Sequence, residues 1–201
     1  RVLGENESYQ VNDLLGFPPP EQMQRHANLY EHWRDVSLKV FPLCNHLVNS
    51  TAFLFTSVQF NRTQTDQVLY FSATGPSNKN QNNLVCPWEE KVNAIWMDSS
   101  LEVDALRAIF IEVSMTNDRS ESELNGHLRP IELIRLLRNL KDGRALDSMA
   151  HVKVVVQHVI PSFDSMEDVA ETIQRQVLDG ARRFSIDAEF IFPEQGDYLC
   201  L

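Results

Sequence analysis

The last fifty or so residues constrain the fold most strongly. Val152 to Ile160 (VKVVVQHVI) is a β-branched run of strand length that stops at Pro161. Ser165-Met-Glu-Asp168 reads as a capping box, with the acid at the third helical position. Met166, Val169, Ile173 and Val177 then recur at strides of three and four, which puts them on one helical face. Gly180 is well placed as the left-handed stop. Arg182-Arg183 leads into Phe184 to Phe192 (FSIDAEFIF), a second strand. A strand, a helix and a strand in that order open an α/β domain.

The preceding residues are less regular. Residues 1–20 read as an entry segment, because Pro18-Pro19-Pro20 favours extended backbone. Glu21 to Ser37 is predicted helical, and Pro42 ends any continuation. Ala52 to Phe60 and Gln67 to Ala73 form an antiparallel hairpin, and Gly75 to Asn83 a loop. Leu101 to Met115 is predicted as a helix capped by Ser99 or Ser100, although Ala108 to Val113 (AIFIEV) fits a strand equally. Asn117 to Gly126 is a polar loop. Pro130 starts a helix carrying Ile131, Ile134, Leu137 and Leu140, and Gly143 ends it. The fold class is α+β: a mixed domain over residues 1–145 and an α/β domain from residue 150, with the boundary within 143–150.

Composition narrows the function classes. The 43% apolar and 23% charged content excludes a disordered or collagen-like chain. Eighteen basic against 28 acidic residues give a net charge of −10, whereas a free-standing nucleic-acid binder shows a basic face. Apolar runs such as Val152 to Val156 are far shorter than the ~20 residues of a bilayer helix, and no signal peptide opens the chain. Three cysteines (Cys44, Cys86, Cys200) without a CxxC pair support neither a zinc ribbon nor a redox motif. The expected setting is intracellular, in cytoplasm or nucleus, with no membrane partner. Arg1 at the start and Tyr198-Leu-Cys-Leu201, which reads as the middle of a strand, suggest a fragment.

Chemistry concentrates at Asp187 and Glu189. Residues two apart on a strand share a face, so the two carboxylates stand side by side. Close carboxylates repel, and a divalent cation removes that penalty. Hard oxygen ligands at this spacing suit Mg²⁺ or Mn²⁺. An edge strand with one solvated face shows the same pattern without a metal.

The flanks of this pair resemble the start of the ribonuclease D-like 3′–5′ exonuclease domain of the DEDD superfamily. The matching residues are Val155 to Val159, Ser165-Met-Glu-Asp168-Val169, Ile186-Asp187-Ala188-Glu189-Phe190 and Tyr198-Leu199-Cys200-Leu201. The resemblance implies a ribonuclease H-like fold truncated over residues 150–201. It makes Asp187 and Glu189 the first two of four metal-binding catalytic carboxylates. It also implies two-metal hydrolysis at the 3′ end of RNA or DNA. The family's later acidic motifs lie beyond Leu201, so the segment is expected to be catalytically incomplete.

Other candidates are weaker. Cys44 and His46 read as a buried thiol and a loop imidazole. His26 and His32 face opposite sides of a helix, and His151 and His158 have opposite strand parity, so the histidines are expected to form no metal cluster. Trp33, Trp88 and Trp96 read as core. Arg129, Arg135, Arg138, Lys141 and Arg144 read as a solvated helix face. Two functions compete: part of a 3′–5′ exonuclease whose residues 1–145 position a partner or substrate, or a non-catalytic protein–protein interaction domain.

Overall fold

The computed structural model describes residues 8–10, 36–43, 50–58, 65–76, 87–161 and 168–199. Alternating apolar residues build the first half of a sheet. Strand β2 (Val36–Leu43) lies antiparallel between β1 (Ser8–Gln10) and β3 (Ser50–Val58), and β3 pairs antiparallel with β4 (Thr65–Phe71). The hairpin predicted from the aromatic runs is β3–β4, with Ala52 opposite Phe71 and Phe55 opposite Val68. Val36, Leu38 and Val40 pack with Phe53 and Phe55 on one face of the sheet, while Phe41 and Leu43 join the main core on the other.

The second half is parallel. Strands β5 (Leu106–Glu112), β6 (Lys153–Gln157) and β7 (Glu189–Ile191) follow β4 in order, each parallel to its neighbour. Parallel neighbours need crossover connections, and helices α1 (Trp88–Trp96), α2 (Pro130–Gly143) and α3 (Val169–Arg183) lie on them. Helix α1 touches β2 and α2, and α2 touches α3. Their apolar residues, Trp96, Leu133, Leu137, Ile173 and Val177 among them, meet Ile109, Ile111 and Val154 of the sheet in one core. Trp88 and Trp96 are buried there, as the sequence suggested, and Trp33 lies outside the described residues.

Local chemistry fixes the helices. In α2, Pro130 occupies the first turn and Glu132 reaches back to the Arg129 amide at 3.0 Å. The Arg144 guanidinium, just past its end, donates to the carbonyls of Trp96, Asp98 and Leu101 and so ties α2 to the end of α1. Arg135 and Arg138 are exposed and paired with Glu89 and Asp142, whereas Arg129, Lys141 and Arg144 are half-buried, so the solvated basic face expected over all five holds for only two. In α3 the cap is Asp168 itself, accepting from the amides of Ala170 and Glu171; Ser165 lies outside the described residues.

Several sequence expectations change. Residues 106–112 form a strand, not part of a helix, preceded by a 3₁₀ turn at Val103–Ala105. Ala108, Ile109, Ile111 and Glu112 are all buried. A central parallel strand is covered on both faces, so its apolar run is continuous and mimics a buried helix. The long strand expected over Phe184 to Phe192 contracts to three residues. Arg182 and Arg183 belong to the last turn of α3, and Ser185 adopts a left-handed turn (φ 53°). Tyr198 is fully exposed and not in a strand, while Cys200 and Leu201 lie outside the described residues. The helix expected over Glu21 to Ser37 also falls outside them, except that Val36 and Ser37 begin β2. The boundary expected within 143–150 falls between α2 and β6, and strands from both sides of it join the same sheet. Among the described residues no helix is long and apolar enough to cross a membrane.

Helices α2 and α3 meet closely at Gly180, where a Cβ would stand 2.8 Å from Cγ1 of Ile134. Gly180→Leu overfills that contact and is expected to cost about 1–3 kcal/mol. The check is thermal unfolding, where each kcal/mol corresponds to about 2–4 °C at this chain length.

Candidate active site: a carboxylate and two imidazoles at the strand ends

Strands β4, β5 and β6 are parallel, so their carboxyl ends lie at one edge of the sheet, the usual place for ligands in such sheets. Glu112, the last residue of β5, has a side chain only 3% exposed. A buried carboxylate has to be compensated by hydrogen bonds. Its Oε1 accepts from the Thr74 amide at 2.7 Å. Its Oε2 accepts from the Ser114 hydroxyl at 2.6 Å and from Nδ1 of His127 at 2.5 Å. Nδ1 of His158 lies 3.4 Å from the same oxygen.

Three connections supply these partners. Thr74 follows β4, Ser114 and His127 belong to the β5–α2 connection, and His158 follows β6. His158 takes a left-handed backbone (φ 59°), uncommon for a side-chain-bearing residue. That turn brings its carbonyl oxygen within 2.7 Å of the Ser114 hydroxyl oxygen, whose single proton is shared between this carbonyl and Glu112, while the Ile160 amide donates to the Ser114 carbonyl at 3.1 Å. His127 is held from behind by Gly75, where a Cβ would lie 2.5 Å from the His127 carbonyl. The Gly126 amide donates to the Pro76 carbonyl at 2.8 Å, which closes the same approach.

The two imidazole rings sit 5.4 Å apart at 37°. The hydrogen bond to Glu112 holds the His127 imidazole above its usual pKa; the carboxylate's charge adds to this and burial opposes it. His127 is 20% exposed and His158 62% exposed, so the second imidazole opens to solvent. Ligand atoms of Glu112, His127 and His158 all lie within 4.8 Å of one another, close enough to hold a metal ion. The expectation that no histidines cluster is therefore corrected. Parity within one strand compared His158 with His151, whereas its partners come from other elements. His151 instead bonds the Val103 carbonyl, and His26, His32 and His46 lie outside the described residues, as does Cys44.

The structure places the expected acid pair elsewhere. Asp187 precedes β7 and accepts from the Ser148 hydroxyl and the Met149 amide, with Lys141 Nζ at 3.9 Å. Ser148's hydrogen bond holds its carboxyl below the usual range; slight burial opposes this, and the Met149 amide and the Lys141 charge add to it. Glu189 is exposed at the start of β7, which pairs with β6 alone among the described residues. Neither acid belongs to the carboxylate–imidazole cluster.

Fold and site together define a mixed α/β sheet protein with a carboxylate–histidine cluster at the carboxyl ends of parallel strands. A family model for class-II cAMP phosphodiesterases matches residues 16–196. The chain belongs to that family. It is 31% identical over 173 residues to cAMP/cGMP-dependent 3′,5′-cAMP/cGMP phosphodiesterase A of Dictyostelium discoideum, covering 83% of this chain and 36% of that protein. It is 28% identical over 166 residues to a 3′,5′-cyclic-nucleotide phosphodiesterase of Aliivibrio fischeri, covering 82% and 46%. Its fold is similar to that of unliganded yeast PDE1, with a TM-score of 0.62 at 20% identity over 79% of this chain and 44% of that one. The chain thus spans less than half the length of these relatives.

These findings overturn the resemblance to a ribonuclease D-like 3′–5′ exonuclease, and with it RNA or DNA 3′ ends as substrate and partner. The catalytic role expected for Asp187 and Glu189 came from that resemblance, whereas their metal-binding role was read first from the spacing of the two carboxylates. The rival reading, a non-catalytic interaction domain, gains no support from relatives that are phosphodiesterases by name.

Two outcomes test this geometry. Gly75→Ala is expected to push His127 away from Glu112 and, in an active protein, to lower kcat/KM by about 10²-fold, the cost of ~1 Å misplacement; NMR of the imidazole signals reads the displacement directly. Asp187→Ala removes two half-exposed hydrogen bonds and is expected to cost about 1 kcal/mol at neutral pH. A carboxyl with a lowered folded pKa stabilises above its unfolded pKa of about 3.9 and loses that effect as the pH falls through the folded value. Melting curves of wild type and variant should therefore converge on acidification below about pH 4.

Proposed function

We propose that the protein forms part of a metal-dependent phosphodiesterase that hydrolyses 3′,5′-cyclic nucleotides. The observation carrying this is the buried Glu112 carboxylate facing Nδ1 of both His127 and His158, in a chain of the class-II cAMP phosphodiesterase family. Both relatives described above are named for cyclic-nucleotide hydrolysis.

Roles follow from the hydrogen bonds. Both oxygens of Glu112 are already engaged, so it serves as the acceptor that orients the two rings rather than as a ligand. An imidazole bonded through Nδ1 presents Nε2 outward. His158, the more exposed, would hold the metal through that nitrogen. Imidazole donors suit Zn²⁺ better than the Mg²⁺ or Mn²⁺ expected on paired carboxylates. A catalytic zinc takes three protein ligands, of which His158 would be one. When bound, the cation supplies Lewis-acid stabilisation of the charge that develops on the phosphate.

His127 is the proton carrier. Its Nδ1 is held by Glu112, which leaves Nε2 free to donate to a leaving oxygen. In hydrolysis a water oxygen bonds to phosphorus, one P–O bond to the ribose breaks, and the departing ribose oxygen takes a proton from Nε2 of His127. The water loses a proton to solvent, which later restores the imidazolium.

The test uses the full-length protein with cAMP and cGMP as substrates. Hydrolysis is expected to stop on chelation and return with Zn²⁺. His158→Ala should lower bound metal, read by elemental analysis. Glu112→Gln should lower kcat/KM about 10–100-fold through both rings, as loss of an orienting carboxylate does. Cyclic-nucleotide hydrolysis unchanged in both variants would overturn the reading.

A further inference from the structure

We propose that the cavity between residues 114–125 and α3 seats the nucleoside of the cyclic nucleotide, with Arg175 holding the purine; this rests on the phosphodiesterase reading above. The cavity measures about 760 Å³, within the range of small-molecule sites. It starts at the candidate site, because Ser114 lies in its wall and the same hydroxyl touches Glu112 and sits 3.2 Å from Nδ1 of His158. A phosphodiester held at the two imidazoles would adjoin this space across Ser114.

The walls suit a flat, neutral group. Helix α3 contributes Thr172, Arg175 and Gln176, three and four residues apart and so on one face. Ile160, Pro161 and Val169 add apolar surface. The opposite wall carries Asp118, Arg119 and Glu123, with Arg119 and Glu123 paired at 3.4 Å. Two arginines and two carboxylates leave the cavity without net charge, which disfavours a second phosphate and admits a nucleoside. Arg175 is exposed and makes no hydrogen bond or ion pair with the described residues. A planar guanidinium stacks on aromatic rings and donates to N7, the acceptor that adenine and guanine share.

The cavity is also built to a fixed width. Asn117 donates its amide to Oε1 of Gln176 at 2.8 Å and accepts from the Ile131 amide at 2.9 Å through its side chain. Loop, α2 and α3 are thereby stapled together around the opening. Binding energy collected on a purine here would act at a distance from the phosphorus, so it sets affinity and selectivity.

The experiment compares wild type and Arg175→Ala of the full-length protein on cAMP and on bis(4-nitrophenyl) phosphate, a diester without a purine. The expected result is a KM for cAMP raised about 10-fold, roughly 1.4 kcal/mol, with kcat within a factor of about three and the nitrophenyl substrate unaffected. Calorimetry with adenosine 5′-monophosphate should show the same loss of affinity, and Thr172→Trp, which fills the cavity from the same helix face, should reproduce it. Equal losses on both substrates, or no loss on cAMP, would overturn the nucleoside site while leaving the phosphodiesterase reading intact. A wild-type protein that cleaves neither substrate would sink that reading, and this proposal with it.

Discussion

A carboxylate buried at the end of a central strand is the constraint on which the rest of this structure turns. Moving Glu112 out of water is costly unless its lone pairs are met. Here they are met from three connections: the Thr74 amide after β4, Ser114 and His127 after β5, and the approach of His158 after β6. One buried side chain thus fixes the relative positions of loops far apart in sequence. The same bonds hold the two imidazoles at one acceptor, so the group that has to be satisfied for folding also orders the chemistry.

The sheet explains why this happens at one edge. Its antiparallel half, β1 to β4, is bound by hairpin-like pairing, while β4 to β7 run parallel with helices on the crossovers. Parallel strands bring all their carboxyl ends to the same side. The close approach of Gly75 to the His127 backbone, where a Cβ would stand 2.5 Å from the carbonyl, lets the residue carrying this imidazole lie against the end of β4. Helices α2 and α3 do more than cover the core, since their tie through Asn117 frames the space beside the cluster.

The Asp187–Glu189 pair shows how much a short motif leaves open. Two acids two apart beside a capped helix fit a metal-binding strand and a solvated edge strand alike. In the fold, Asp187 caps a turn through Ser148 and Met149, and Glu189 starts a three-residue edge strand facing solvent. What distinguishes structural from metal-binding carboxylates is which donors meet them in space, and spacing along the chain carries no record of that.

Sequence alone determined the local elements whose causes are local. The β3–β4 hairpin follows from alternating aromatic and β-branched residues, α2 from Pro130, Glu132 and a leucine stripe, and β6 from its valine run. It left β5 undecided between helix and strand, because a strand covered on both faces loses its period of two. The site was decided only by tertiary structure. Glu112, His127 and His158 are 15 and 46 residues apart from the first to each of the others, with no spacing that any single helix or strand imposes. The one local hint was an acid closing an otherwise apolar run, AIFIE, at the point where a buried strand should carry none. Which imidazoles would meet that acid depended on parallel strand order, and strand order is a property of the packed sheet.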